Sequence, residues 1–294
     1  MKPVATDDTV YRAPVSAHPR IGELLVSRNL MTLEQAGQAA AHSVERNIRF
    51  GEAAVLLGFI TDDQLDDTLA LQQNLPTVRE IGVIDPEVLV LHEPATETAE
   101  NIRSLRNALT LRWLQSAGGS RTLSVIGAER HDGRSLIAAN LAASLAQGGL
   151  RTLLIDADLR NPRQHLLFGL DNTRGLTGYL MGDEERGAHY ALAGLESLTI
   201  VPSGALPANP QELLLRPTLP ALVRQVALNF DAVIIDTPAA SAGTDYQLVA
   251  SVTRGALMVG RHRGTRTRTM AAMLNQCDDV GIKVVGGVLS MADG

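Results

Sequence analysis

Apolar positions in the first quarter of the chain recur at helical spacing and in duplicate, at an offset of 29 residues. Arg20, Gly22, Glu23, Val26, Thr32 and Gln35 return as Arg49, Gly51, Glu52, Val55, Thr61 and Gln64. Each copy reads as a short amphipathic helix, Ile21 to Ser27 and Phe50 to Leu57, then a turn and a second helix opened by Thr-x-x-Gln. In that box the hydroxyl and the amide satisfy backbone N–H groups that a helix start leaves unpaired. The pattern predicts a small all-α repeat domain over residues 19–76. A disordered arm (1–18), aperiodic and carrying Pro3, Asp7, Asp8 and Pro14, precedes it, and a linker (77–96) with Pro86 and Pro94 follows. Glu100, Arg103 and Arg106 then share one face of a helical stretch.

From Thr122 the period changes. Apolar, β-rich runs at Thr122–Gly127, Thr152–Asp156, Leu198–Val201, Ala232–Asp236, Ala256–Val259 and Val284–Leu289 alternate with helical stretches. Continuous apolar strands alternating with helices predict an α/β domain over 97–294, with a mostly parallel sheet covered on both faces.

Composition narrows the chemistry. The net charge of −6 argues against wholesale coating of nucleic acid, and none is expected as a partner. Lys2 and Lys283 are the only lysines among 26 basic residues, so any role that usually falls to lysine must be met by arginine. A lone cysteine, Cys277, forms no intramolecular disulfide, and no apolar run has the length of a membrane helix, so the expected location is cytoplasmic.

The candidate chemistry lies at three strand ends. The first strand runs into Ala128-Glu129-Arg130-His131-Asp132-Gly133-Arg134-Ser135 and then an alanine-rich helix, Leu136 to Gln147. Strand, loop and helix follow in the order of a P-loop, with Arg134 where that motif has lysine. Successive loop N–H groups and the helix start face a phosphate, and a hydroxyl such as Ser135 ligates Mg²⁺. The second strand ends in Asp156-Ala157-Asp158-Leu159-Arg160, and a later one in Asp236-Thr237-Pro238, an acid placed to hold a metal-bound water. Ligands of open α/β sheets bind at this carboxyl edge. A bland reading, a polar turn with a capping serine, covers the loop alone but not three such strand ends together.

With these residues in view, the stretch from about 97 to 290 resembles the bacterial tyrosine kinases of exopolysaccharide synthesis, of the chain length determinant protein tyrosine kinase EpsG type. The likeness takes in Glu100-x-x-Arg103-x-x-Arg106, the altered phosphate loop, and Asp156-Ala157-Asp158-Leu159-Arg160 with Asn161-Pro162-Arg163-Gln164-His165. It continues through Gly175-Leu176-Thr177, Gly204-x-x-Pro207-x-Asn209-Pro210, and Asp231-x-Val233-Ile234-Ile235-Asp236-Thr237-Pro238. The resemblance implies transfer of the ATP γ-phosphoryl group to tyrosine, with Mg²⁺, and work alongside a membrane-embedded polysaccharide co-polymerase that would recruit the chain to the inner face of the cytoplasmic membrane. It implies that Gly133, Arg134, Ser135 and Leu136 cradle the phosphates. Ser135, Asp158 and Asp236 would serve the metal, Asp156 and Asp158 would divide metal contact and acceptor activation, and Glu100, Arg103 and Arg106 would mediate self-association. Three departures stand out: Arg134 itself, a tail (Val288–Gly294) without tyrosines, and Ser290 where the family often has asparagine. They keep a second expectation open, a non-catalytic ATP-switched scaffold. A MinD/ParA-like ATPase is a third, though Glu129 occupies the place of its extra lysine.

The N-terminal repeat resembles the N-terminal domain of type II secretion and pilus-assembly ATPases. That likeness implies cyclic di-GMP binding through Arg20-Ile21-Gly22 and Arg49-Phe50-Gly51, and Arg20, Gly22, Arg49 and Gly51 are the candidate residues. A helical protein-docking module is the competing expectation.

Overall fold

The computed structural model describes residues 21–28, 30–46, 48–62, 64–65, 68, 84–114, 120–183 and 185–291. The chain divides into two compact units, Met1–Leu75 and Pro76–Gly294. The arm over 1–18 lies outside the described residues.

The first unit contains α1 (Ile21–Ser27), α2 (Leu33–Arg46) and α3 (Phe50–Leu56). Both anticipated capping boxes form. Gln35 N–H donates to Thr32 Oγ1 (3.1 Å) and Thr32 N–H to Gln35 Oε1 (2.8 Å), and Thr61 and Gln64 repeat the exchange. Leu25, Met31, Ala39, Ala54 and Ile60 form its core.

In the second unit, α4 (Leu89–His92) and α5 (Glu97–Leu109) precede the sheet. Thereafter β1 (Thr122–Gly127), α6 (Arg134–Gln147), β2 (Thr152–Asp156), α7 (Gln164–Leu167) and α8 (Leu176–Met181) lead to the hairpin β3 (Tyr190–Leu192) and β4 (Leu195–Val201). The chain continues through α9 (Pro210–Leu214), α10 (Thr218–Asn229), β5 (Ala232–Asp236), α11 (Asp245–Thr253), β6 (Gly255–Arg261), α12 (Thr267–Asp279) and β7 (Lys283–Ser290). The strand order is β3-β4-β2-β5-β1-β6-β7, parallel except for the β3–β4 hairpin. Every residue of β1, β2 and β5 is buried, as expected of central strands covered on both faces. Their register sets Asp156 beside Asp236 and Val125 beside Asp236, so the ends of three adjacent strands meet at one edge.

The span 77–96 is not a linker throughout. Val88 and Val90 are fully buried in the same core as Leu141 and Leu145 of α6. Asn140 of α6 reads the backbone of this segment: its Oδ1 accepts from Val90 N–H (3.1 Å) and its Nδ2 donates to Glu87 O (3.0 Å). The physical reason lies in α6, whose buried residues run around its whole circumference. A helix apolar on all sides needs a second layer over its outer face, and α4 and α5 supply it through Val88, Val90, Ile102 and Leu109.

Replacing Asn140 by alanine leaves the buried Val90 N–H and the part-buried Glu87 carbonyl without this partner. We expect a loss of about 1–3 kcal/mol, read as a lower urea midpoint at unchanged slope. An unchanged midpoint would show that the segment is not anchored as described.

Candidate phosphate-binding site

The loop between β1 and α6 is shaped by its own residues. Gly133 has φ +88, a left-handed conformation suited to glycine, and a Cβ there would lie 2.6 Å from Ser290 Oγ on the last strand. Asp132 is buried and organises the turn: Oδ2 accepts from Glu129 N–H (2.8 Å) and Oδ1 from Thr265 Oγ1 (2.5 Å). Ser135 and Leu136 open α6, where helix N–H groups lack intrahelical partners and favour an anion.

Arg134 is buried and does not extend into open space. Its stem lies against Gly127, its Nε donates to Thr237 O (3.1 Å) and its Nη1 to Glu129 O (2.6 Å). The guanidinium thus clasps the start of the loop to the segment after β5.

The two acids after β2 separate into different roles. Asp156 is fully buried and both its oxygens are engaged by backbone: Oδ1 by Asp158 N–H (3.1 Å), Oδ2 by Arg163 N–H (3.0 Å) and Gln164 N–H (2.9 Å). Burial, and then the neighbouring Asp236 charge, hold its pKa well above the usual carboxylate value. Only Asp158 of the pair lines the cleft, together with Ser135, Arg130, Asn161 and Arg163. Its Oδ1 accepts from Arg160 N–H (3.2 Å) and Asn161 N–H (2.9 Å). Asp156 thus orders the loop that presents Asp158, and of these two acids Asp158 is the one at the cleft.

Asp236 ends β5 with no exposed surface. Gln164 Nε2 donates to its Oδ2 (2.8 Å) and to Ser135 O (3.0 Å), and the Ser135 side chain is also hydrogen-bonded to it. Oδ1 has no partner. Burial raises its pKa to about 6, against the lowering effects of Arg134, Ser135 and Gln164. A hydroxyl beside a carboxylate with an unmet acceptor fits a hydrated Mg²⁺, held by oxygen donors.

Gln164 was not singled out from sequence as a site residue, although it lies in the Asn161–His165 motif. Its signal is its immediate position after Arg163 in a loop that follows two acids. Asp132 and Thr265 were also missed; they lie 133 positions apart and meet only in the fold. Glu100, Arg103 and Arg106 share one face of α5 but do not line the cleft. Arg103 pairs with Glu100 (2.7 Å), and Arg106 Nη1 donates to Ser144 O (3.1 Å). In the first unit, a Cβ on Gly22 would meet the Phe50 ring at 3.1 Å and one on Gly51 the Leu65 side chain at 2.5 Å, so both glycines serve close packing. Arg49 is exposed and its N–H donates to Glu52 Oε2 (3.0 Å), while Arg20 lies outside the described residues.

Fold and site together define a P-loop NTPase-type α/β unit with a phosphate loop, a helix start and two acids at one sheet edge. Its homologues are bacterial tyrosine-protein kinases. The chain is 35% identical over 191 residues to tyrosine-protein kinase ptk of Acinetobacter johnsonii, covering 65% of this chain and 26% of that protein. It is 32% identical over 204 residues to tyrosine-protein kinase wzc of Salmonella typhi, covering 69% and 28%. Among solved structures, the kinase domain of Escherichia coli tyrosine kinase ETK superposes with a TM-score of 0.63 at 26% identity, over 74% of this chain and 85% of that one. The chain spans about a quarter of the length of the curated relatives it matches. No family model matches it.

The raised pKa of Asp236 gives a signed prediction. The folded state binds this proton more tightly than the unfolded chain, whose aspartate titrates near 3.8, so stability falls as pH rises from about 4 to about 6 and is level above. Asp236→Asn should therefore raise stability at pH 7.5 by roughly 2–3 kcal/mol and leave it nearly unchanged at pH 4, while abolishing Mg²⁺-dependent nucleotide binding. Chemical denaturation at the two pH values checks the first part. An equal effect at both would contradict it.

Proposed function

We propose that the α/β unit binds Mg·ATP in this cleft and transfers the γ-phosphoryl group to a tyrosine hydroxyl, in the service of exopolysaccharide chain length and export. The observation that carries the reading is the buried Ser135–Asp236–Gln164 cluster, with its unmet carboxylate oxygen, which reaches through Ser135 a cleft that Asp158 also lines. The sequence likeness to bacterial tyrosine-protein kinases, over about two thirds of this chain, supplies the reaction class.

Phosphoryl transfer asks the protein mainly for positioning and charge neutralisation. Loop N–H groups from Gly133 to Leu136 cradle the phosphates, and Arg130 and Arg163 add positive charge at the cleft. Ser135 and Asp236 would hold the metal, which would supply neutralisation of phosphate charge. Asp158, fixed through Oδ1, keeps Oδ2 as the acceptor for the tyrosyl proton while the hydroxyl oxygen attacks the γ-phosphorus, the bond from that phosphorus to the β–γ bridging oxygen breaks, and ADP leaves. Of the described tyrosines, Tyr190 and Tyr246 are buried and Tyr179 is largely so, which favours an acceptor other than these three; Tyr11 lies outside the described residues. A membrane-embedded co-polymerase is the partner of fitting class, and self-association through Glu100, Arg103 and Arg106 would bring sites together.

A second reading, an ATP-switched scaffold without transfer, is favoured by one observation. Arg134 commits two of its donors to protein carbonyls, which leaves fewer for phosphate. For the helical unit we propose a protein-docking role, since Gly22 and Gly51 are accounted for by packing. Calorimetric heat with cyclic di-GMP that Arg49→Ala removes would instead favour the nucleotide.

Labelled ATP, Mg²⁺ and the partner's cytoplasmic segment decide between the readings. Phosphotyrosine should appear, and Asp158→Asn should lower its rate by about 10²–10⁴ with ATP affinity retained. Nucleotide binding without phosphotyrosine on either protein would leave the scaffold reading in place.

A further inference from the structure

The segment joining β6 to α12 carries Arg261, His262, Arg263, Arg266 and Arg268 within eight residues, in a chain of net charge −6. Four of these are exposed, Arg261 is half-buried, and no ion pair among the described residues uses them. The arrangement opposes folding stability. Arg266 and Arg268 sit at the start of α12, the positive end of the helix dipole, and Asp278 and Asp279 close its negative end. Arg263 adopts φ +56, which a residue with a side chain takes up at some cost.

The loop is nonetheless fixed. Thr265 Oγ1 donates to Asp132 and accepts from Arg261 N–H (2.8 Å), and His262 N–H donates to Ser290 O (2.8 Å). The last bond sets the end of β7 beside the arginines. There Leu289 and Met291 are exposed by 62% and 73%.

We propose that this face, Arg261 to Arg268 with Leu289 and Met291, docks on an anionic phospholipid bilayer. Arginines without carboxylate partners find lipid phosphates, and the adjoining apolar side chains enter the boundary between headgroups and acyl chains. A free phosphate or a nucleotide would answer the charge but not the exposed Leu289 and Met291. An acidic peptide would need a groove to order it, and the neighbouring phosphate cleft is lined by other residues. A fluid bilayer accepts both features without one. The proposal is independent of phosphoryl transfer.

Flotation of the full chain with vesicles of phosphatidylcholine alone, and of phosphatidylcholine mixed with phosphatidylglycerol, tests it. Binding is expected to the anionic vesicles and to weaken with salt. The Arg263→Gln, Arg266→Gln, Arg268→Gln triple variant should bind roughly 100-fold more weakly, each charge near such a surface contributing about fivefold. Leu289→Ser with Met291→Ser should lower affinity but preserve the salt dependence. All substituted side chains are exposed, and an unchanged thermal melt verifies folding. Absence of binding to anionic vesicles, equal binding to uncharged ones, or a triple variant that binds like its parent overturns the proposal. So does capture of poly-glutamate without vesicle binding.

Discussion

A carboxylate with no exposed surface at the end of the central strand β5 is the constraint on which the site depends. Burying a charge is costly unless hydrogen bonds and opposite charge offset it. Here Gln164, Ser135 and the Arg134 guanidinium supply that compensation for Asp236, yet one oxygen stays unmet. Gln164 can do this because Asp156 grips the backbone N–H groups of residues 163 and 164. Thus the acid of β2 supports the acid of β5, and the same turn turns Asp158 toward the cleft. The two strand ends form one device, and its stability is sacrificed to leave an acceptor for a ligand.

The second layer serves the same end at longer range. The alanine-rich α6 begins at Arg134 and Ser135, so its tilt and depth fix where those side chains sit. Small residues let it lie close to the sheet, and α4 and α5 bury its outer face. Arg163, at the cleft, pairs with Glu87 of that layer (2.9 Å). What covers the helix is thereby coupled to what lines the phosphate site.

Much of this was legible in the sequence, for reasons that can be stated residue by residue. The mostly apolar runs of β1, β2 and β5 made their limits legible, since a strand buried on both faces lacks the alternation of polar positions that blurs a half-exposed one. The Thr-x-x-Gln boxes gave the helix starts. β3 was missed because three residues carry no period, and the cover over α6 was mistaken for linker because its prolines spoke louder than Val88 and Val90. Sequence placed Asp156 and Asp158 equally near the chemistry. Their difference rests on which backbone N–H groups each carboxylate meets, a property of the turn and not of the motif. Asp132 and Thr265 could be joined only by the fold.

Arg134 shows how composition and geometry combine. In a chain with two lysines, arginine at this position could pass for drift in usage. Its contacts give it a physical identity instead. A guanidinium presents several donors in a planar fork, whereas an ammonium is a compact point charge on a flexible stem. Nε and Nη1 reach two carbonyls, Thr237 O and Glu129 O, that belong to different strand ends, and the stem fills the space over Gly127. A lysine would have to meet both carbonyls from a single nitrogen, whereas the fork meets each from a nitrogen of its own. The loop is therefore built around the fork: the residue that in a usual P-loop stands mainly for charge here also stands for architecture, and it clasps the loop that leads to Ser135 to the residue that follows Asp236.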